Sequence, residues 1–403
     1  MRDFSVLLND TVLAIISLLL LLFQGTATLI LLSRLIKGAR RYPPLVPQLP
    51  DPEMLGKVSV VVPTLNEVYR IDPCLQGLSL QSYEVREILV IDSHSQDGTQ
   101  EKIKQAALSD PRFRLMSDDP LPLGWVGRPW ALHTGFLNSS PNSEWVLGID
   151  ADTQPQRGLV TSLVRVAQKE GYDLVSLSPQ FILKDIGEWW LQPALLMTLL
   201  YRFESAGVRQ QTPQTVMANG QCFLSRRTVL EQLGGYSKAA SSFCDDVTLA
   251  REAAKQGFKV GFLDGSKLIR VRMYEGIAET WKEWGRSLDL KDASSRSQLW
   301  GDLVLLLLTQ ALPLVLFMFL GTCWVLGYDF LSLKLAIALN LTLLIIRYAL
   351  LIAIFPSYYQ DQFSWPRSLF FWLSPLADPI AVLRIFLSAF GRPKQWRGRI
   401  YRH

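Results

Sequence analysis

The chain has 403 residues, 49% of them hydrophobic and 19% charged, with a net charge of +5. That length exceeds one small domain, and so modest a charge, with no nucleic-acid-binding motif, excludes an RNA- or DNA-binding role. Four cysteines without C-x-x-C spacing and only three histidines exclude a structural zinc site and fit a reducing compartment.

The apolar run 11–36 is long enough to cross a hydrocarbon core of ~30 Å. No small-residue cleavage site follows it, as a signal peptide would require. Arg34, Lys37, Arg40 and Arg41 come directly after it, whereas Arg2 precedes it beside Asp3 and Asp10. By the positive-inside rule the following domain faces the cytoplasm. Residues 1–41 are thus an N-terminal transmembrane anchor. Residues 42–56, with Pro43, Pro44, Pro47, Pro50 and Pro52, predict a stiff, extended linker.

Residues 57–291 have the composition of a soluble α/β domain. Strands are predicted at 58–62 (ended by Pro63), 87–92, 145–150 and 173–177, with helical stretches between them such as 100–108 and 158–169. That alternation predicts a mostly parallel sheet, with ligands beyond the carboxyl ends of its strands. The segment 186–203 pairs Trp189 with Trp190 and is broken by Pro193. It is too short to span and reads as an interfacial amphipathic helix, with a buried core helix as the alternative. Residues 292–403 form a C-terminal membrane region with spans at 299–326 and 333–355. Arg347 within the second must face protein or a polar cavity. The stretch 368–390, interrupted by Pro375 and Pro379, reads as re-entrant or interfacial. It returns the basic tail (Arg392, Lys394, Arg397, Arg399, Arg402) to the cytoplasm and to anionic lipid.

Four motifs carry the chemistry. Gly148-Ile-Asp-Ala-Asp152 places two carboxylates, Asp150 and Asp152, at a strand end, where they can share a hard divalent cation, Mg²⁺ or Mn²⁺, that keeps positions open for phosphate. The strand before Pro63 delivers Thr64, Asn66 and Glu67 to the same rim. Asp92 ends another strand, where a carboxylate accepts from a base N–H or a ribose hydroxyl; Asp97 and Thr99 read as turn and cap residues. In Cys244-Asp-Asp-Val-Thr248, Asp246 is placed to take a proton from an acceptor hydroxyl, with Asp245 as its helper.

The order P-T-L-N-E, I-D-S-x-S-x-D-G-T, G-I-D-A-D and D-D-V-T-L-A resembles the family 2 glycosyltransferases with a GT-A fold over roughly the middle 240 residues. The resemblance implies a Rossmann-like, mostly parallel catalytic domain and a nucleotide-diphosphate sugar donor. Thr64, Glu67 and Asp92 would hold the nucleotide, Asp150 and Asp152 the diphosphate and metal. Asp246 would be the base of an inverting single displacement. Many members carry two acids where this chain has Asp92-Ser93, which leaves the base and sugar of the donor open. Gly124-Trp-Val-Gly-Arg-Pro-Trp-Ala131 is similar to a segment of membrane enzymes acting on ceramide, hopanoids and carotenoids. There Arg128 would meet the diphosphate, and Trp125 and Trp130 read equally as core packing. Asn219, Gly220 and Gln221 would lie on the acceptor side, with Trp281, Trp284 and Arg286. Processive polysaccharide synthases carry Q-x-x-R-W here; its absence points to one sugar per acceptor. Trp284 to Ser295 and the tail from Trp396 to Tyr401 are most similar to carotenoid glycosyltransferases of the myxoxanthophyll type, so a carotenoid is the acceptor expected. A hopanoid or ceramide-type acceptor, a processive synthase and an inactive membrane scaffold are the rival readings.

Overall fold

The computed structural model describes residues 4–118, 120–209, 212–287, 293–362, 365–390, 395–396 and 399–400. The basic tail, apart from the backbone of Arg399, lies outside these residues.

Ten strands build the α/β body: β1 (Val58–Thr64), β2 (Val85–Asp92), β3 (Phe113–Ser117), β4 (Trp145–Ile149), β5 (Thr153–Pro155), β6 (Leu174–Ser178), β7 (Gln180–Phe181), β8 (Cys222–Arg226), β9 (Val260–Asp264) and β10 (Ile269–Val271). Seven form one sheet in the order β3-β2-β1-β4-β8-β6-β9, and β5-β10-β7 form a small second sheet. Within the large sheet only β8 runs against the rest. β1 is buried along its whole length. Val60 and Val62 join one apolar cluster and Val61 another, the two-sided burial expected of a central parallel strand.

The chain runs outward from β1 to β2 and β3, then returns to place β4 on the other side of β1. That reversal opens a crevice beyond the carboxyl ends of β1 and β4. Contrary to expectation, Pro63 does not end β1: the strand continues to Thr64, with Pro63 opposite Ile91 and Thr64 opposite Asp92. The β4 ladder stops at Val61, so the proline falls where β1 is paired on one side only.

Helices run in chain order as α1 (Phe4–Leu35), α2 (Asp72–Ser79), α3 (Thr99–Ser109), α4 (Gly127–Asn138), α5 (Leu159–Glu170), α6 (Ile186–Arg202), α7 (Arg227–Leu233), α8 (Asp245–Lys255), α9 (Gly276–Ser287), α10 (Arg296–Leu306), α11 (Leu312–Val325), α12 (Leu331–Ile354), α13 (Arg367–Trp372) and α14 (Asp378–Phe390). Three segments among the described residues are helical, long and apolar enough to cross a membrane: Asp10–Arg40, Arg296–Val325 and Leu331–Ser357. The second contains a π-helical turn, Leu307–Ala311, between α10 and α11. α13 and α14 are separated by a 3-10 turn, Ser374–Ala377, that contains Pro375, while Pro379 sits in the first turn of the continuous α14, where a proline is tolerated.

The interfacial reading of 186–203 needs correction. Trp189, Ala194, Leu195, Met197 and Tyr201 of α6 are fully buried, in a cluster with Leu31, Leu306, Leu351 and Phe371. α6 is therefore a core helix at the junction of α/β body and apolar helices. The proline-rich stretch is extended but not loose. Tyr42 N–H donates to the Gly207 carbonyl (2.7 Å) and Leu45 N–H to that of Asp264 (2.9 Å), while Ser162 Oγ bridges the Val46 carbonyl and Gln48 N–H. Lys37 pairs with Glu204 at 2.6 Å and Arg34 with Asp302 at 3.2 Å. Arg347 turns inward as its cost in lipid demands: it is buried and grips both oxygens of Asp378, at 2.8 and 3.0 Å.

Candidate active site

Two loops leave the carboxyl ends of β1 and β2 and are knitted together. Asn66 and His94 adopt left-handed φ values of 54° and 65°, backbone strain of a kind that gathers at functional sites. Asn66 N–H donates to Ser95 Oγ (2.8 Å), Glu67 N–H to Thr99 Oγ1 (2.9 Å) and Val68 N–H to Asp97 Oδ2 (3.0 Å). Asp97 and Thr99 are thus turn and cap residues, as expected. Asp92 is buried, and its two oxygens receive four bonds: from Thr64 Oγ1 (3.2 Å), Ser95 Oγ (2.5 Å), Ser95 N–H (3.0 Å) and Gln100 Nε2 (2.7 Å). Four is the full capacity of a carboxylate. Thr64 and Asp92 therefore meet, but Asp92 spends its lone pairs on the loop.

The second group forms around Arg128, near the start of α4. Its guanidinium contacts Asp150 Oδ1 (2.9 Å from Nε), Asp245 Oδ2 and the Gly220 carbonyl (2.7 Å). Burial alone would loosen its proton, but Asp150, Asp245 and Asp246 outweigh that and raise its pKa well above the ordinary value. Gly220 N–H donates to Asp246 Oδ2 at 2.6 Å, and Asp150 N–H to the Gln221 carbonyl at 3.3 Å. The segment 219–221 is itself fixed: Asn219 N–H donates to Ser176 Oγ (2.7 Å), and Gln221 N–H to Asn219 Oδ1 (2.9 Å). A Cβ on Gly220 would lie 2.3 Å from Arg128 Nη2, so a side chain would displace the guanidinium. Burial, and then the neighbouring charge of Asp245, push the Asp246 carboxyl up to about 7 against the opposing pull of Arg128. Three segments distant in sequence, at Asp150, Gly220 and Asp245, thus meet at one arginine.

Asp150 and Asp152 flank a tight turn. Thr153 Oγ1 closes it on the Asp150 carbonyl at 2.8 Å, and the buried Cys74 thiol lies beneath at 3.7 Å from the same oxygen. Burial and the charges of Asp152, Asp150 and Glu67 push that thiol up to about 12, so it packs as a neutral group. No cluster of three or more His, Cys, Asp or Glu suited to a metal occurs among the described residues. The chain offers no closed cage here. Two hard oxygen donors, with Asp150 partly open to solvent, fit a cation that draws its remaining ligands from phosphate and water.

The structure does not bring every expected residue to this cluster. Trp284 is buried against Tyr274, ring centroids 6.0 Å apart, in the apolar junction with α6. Trp281 lies under Arg384, whose guanidinium is 5.4 Å from its ring. The Arg286 side chain lies outside the described residues. Trp125 and Trp130 pack edge to face at 5.1 Å. Cys74, Ser176 and Asp118 had no motif to announce them.

Residues 59–234 match the family described as Glycosyl transferase family 2. A protein of Bacillus subtilis named a probable glycosyltransferase is 24% identical over 242 residues, 58% of this chain and 53% of its own length. The chain thus spans about half of that relative. The 4,4'-diaponeurosporenoate glycosyltransferase of Staphylococcus haemolyticus is 23% identical over 278 residues, 68% of this chain and 72% of that one. Among solved structures, a mannosyltransferase of Pyrobaculum calidifontis in complex with GDP-Man and Mn²⁺ superposes with a TM-score of 0.52. It is 18% identical and covers 94% of this chain and 98% of its own. The likeness shows the GT-A fold for the body built on the seven-stranded sheet, with the long apolar helices on either side of it in the chain.

Proposed function

We propose that this chain is an inverting, metal-dependent glycosyltransferase that moves one sugar from a nucleotide-diphosphate sugar to a hydroxyl of a membrane lipid-like acceptor, a carotenoid. The observation that carries the reading is the half-buried Asp246, held on Gly220 N–H within the same cluster as Asp150 and Arg128. A carboxylate pushed up to about 7 is matched to take a proton near neutral pH.

Thr64, Glu67 and Asp92 shape the nucleotide end of the crevice, and Asp150 and Arg128 face its diphosphate. Asp150 and Asp152 would hold a divalent cation, which neutralises charge on the leaving diphosphate when bound. Asp246 removes the acceptor's hydroxyl proton, helped by Asp245. The oxygen attacks the anomeric carbon opposite the diphosphate, the carbon–oxygen bond to phosphate breaks, and the configuration inverts. Asn219, Gly220 and Gln221 border the acceptor, which enters from the membrane side. The positive residues after α1 support a cytoplasmic orientation of the domain. The staphylococcal relative named for diaponeurosporenoate supports a carotenoid-like acceptor.

The test is product profiling in a carotenoid-producing host supplied with suitable donors. A new glycosylated pigment, absent with Asp152→Ala and with Asp246→Ala, is the expected result. Unchanged pigments would sink the carotenoid assignment and turn the search to hopanoid and sphingolipid acceptors.

A further inference from the structure

We infer that α13 and α14 form a lipid-binding surface that lies flat in the bilayer leaflet beside the α/β body, with phospholipid acyl chains as its partner. This rests on the reading that the long apolar segments cross a membrane, and it adds a contact that those segments do not themselves provide.

The stretch from Ser368 to Phe390 holds two charged residues, Asp378 and Arg384, and both are spent on the inner face. Asp378 is buried, bonded to Arg347 and Gln310. Arg384 is half-buried. It donates from Nε to the Trp281 carbonyl and from Nη2 to the Lys282 carbonyl (3.2 Å), which fastens α14 to α9. Ala381, Val382, Ile385 and Ser388 are buried on the same inner face. The outer face is apolar throughout. Leu376, Ile380, Leu383, Leu387 and Phe390 are exposed at steps of three and four residues, which makes one continuous helical stripe. An uncharged stripe of this kind suits acyl chains and is costly in water.

The depth of this surface follows from its two ends. The segments Arg296–Val325 and Leu331–Ser357 are consecutive and joined by a short turn, so Arg296 and Ser357 lie on the same side of a membrane that both cross. At one end of the surface Trp372 stacks on Phe355, near the close of the second segment, with ring centroids 5.8 Å apart. At the other end Phe386 and Phe390 meet Trp300, near the start of the first segment, edge to face at 6.3 and 5.8 Å. Both ends are thus held at one level, and a helix held in this way runs along the leaflet instead of through it. Tyr359 N–H donates to the Phe181 carbonyl of β7 at 2.8 Å, which sets that level beside the α/β body. Trp300 and Trp372 then sit where tryptophan gathers, at the boundary of lipid and water.

The experiment uses the full chain in vesicles of phosphatidylcholine and phosphatidylglycerol, with Cys323→Ser to remove the one cysteine that is not buried. Leu376→Cys, Leu383→Cys, Leu387→Cys and Phe390→Cys each carry a fluorophore. Its depth is read from quenching by lipids spin-labelled at shallow and deep chain positions and by aqueous iodide. Ile345→Cys, in the middle of a membrane-crossing segment, and Tyr69→Cys, on a loop of the body, are the references. All six side chains are exposed in the fold, so these substitutions remove no buried contact. The four labels are expected at one common depth, about 5–10 Å into the boundary of headgroups and acyl chains, against ~15 Å for Ile345 at the centre of the hydrocarbon core. Most of the iodide quenching seen at Tyr69 should be lost at all four. Depths that increase steadily from Leu376 to Phe390 would overturn the inference in favour of a helix that enters the bilayer. Iodide quenching equal to that at Tyr69 would also overturn it, since water would then cover the face. So would protection from iodide and lipid labels alike, since protein, such as a second copy of the chain, would then cover it. If the Ile345 label itself were open to iodide and untouched by the lipid labels, the membrane reading would fall, and this inference with it.

Discussion

As the proposed base, Asp246 is asked to be neutral and charged in turn, and its surroundings allow both. Burial and Asp245 favour the proton, while Arg128 and the N–H groups of Val247 and Gly220 oppose it. A base must be ionised to work, so single-turnover transfer should rise about tenfold per pH unit below about 7 and level off above it. The same shift acts on stability, with a definite sign. The folded carboxyl holds its proton more tightly than the unfolded chain, whose carboxyl titrates near pH 4. It therefore favours folding at acid pH, and that contribution is lost as pH rises through about 7. Asp246→Asn cannot ionise. It should melt higher than the native protein at pH 8, with an advantage that grows from about pH 4 to about pH 7 and then stays constant. A melting difference that shrinks with rising pH would contradict the assignment.

At the scale of elements, α4 is what sets the cluster, because it carries Arg128 and lies directly on β1. A Cβ at Gly135 would come within 2.2 Å of Val61 Cγ1. Gly135→Val should push the helix off the sheet, cost roughly 1–3 kcal/mol as overpacking does, and weaken nucleotide binding more than Gly135→Ala, both read by thermal melting and calorimetry. Much of this level was legible in the residues. Runs of β-branched residues marked β1, β2 and β4, and the strand-end motifs pointed to one rim. What could not be read was which groups pair there. Nothing in the spacing tells that Arg128 would bridge Asp150 and Asp245, or that Asp92 would exhaust its lone pairs on Ser95, Gln100 and Thr64. Pro63 and α6 were misread for a shared reason: strand pairing on one side and burial by distant helices are tertiary facts. A proline looks like a stop until the missing neighbour is known, and a tryptophan-rich helix looks interfacial until its partners are.

For the whole molecule, the apolar helices are joined to one another by polar contacts. Gln24 on α1 and Asn340 on α12 exchange side-chain hydrogen bonds at 2.9 and 3.1 Å. Asp378 accepts from both Arg347 and Gln310. Arg347→Met should strand a buried carboxylate and destabilise the detergent-solubilised protein by about 3–5 kcal/mol, whereas the double replacement Arg347→Met with Asp378→Leu should regain most of that loss. If the single and double variants melt alike, an unpaired Asp378 is not what destabilises the single variant.

The strap from Tyr42 to Gln48 is hydrogen-bonded to the body along its length, at Gly207, Asp264 and Ser162, so the first helix is joined to that body by pinned rather than slack chain. A slack tether would let the crevice drift above a bilayer and sample many heights. Here the height is cast into the protein. A membrane a few ångströms thicker or thinner cannot be absorbed by slack. It would shift the crevice relative to the plane in which the hydroxyls of the proposed lipid-like acceptor lie. Lipid thickness thereby becomes a dimension of the enzyme's own geometry, and the proline-rich strap is the ruler that fixes it.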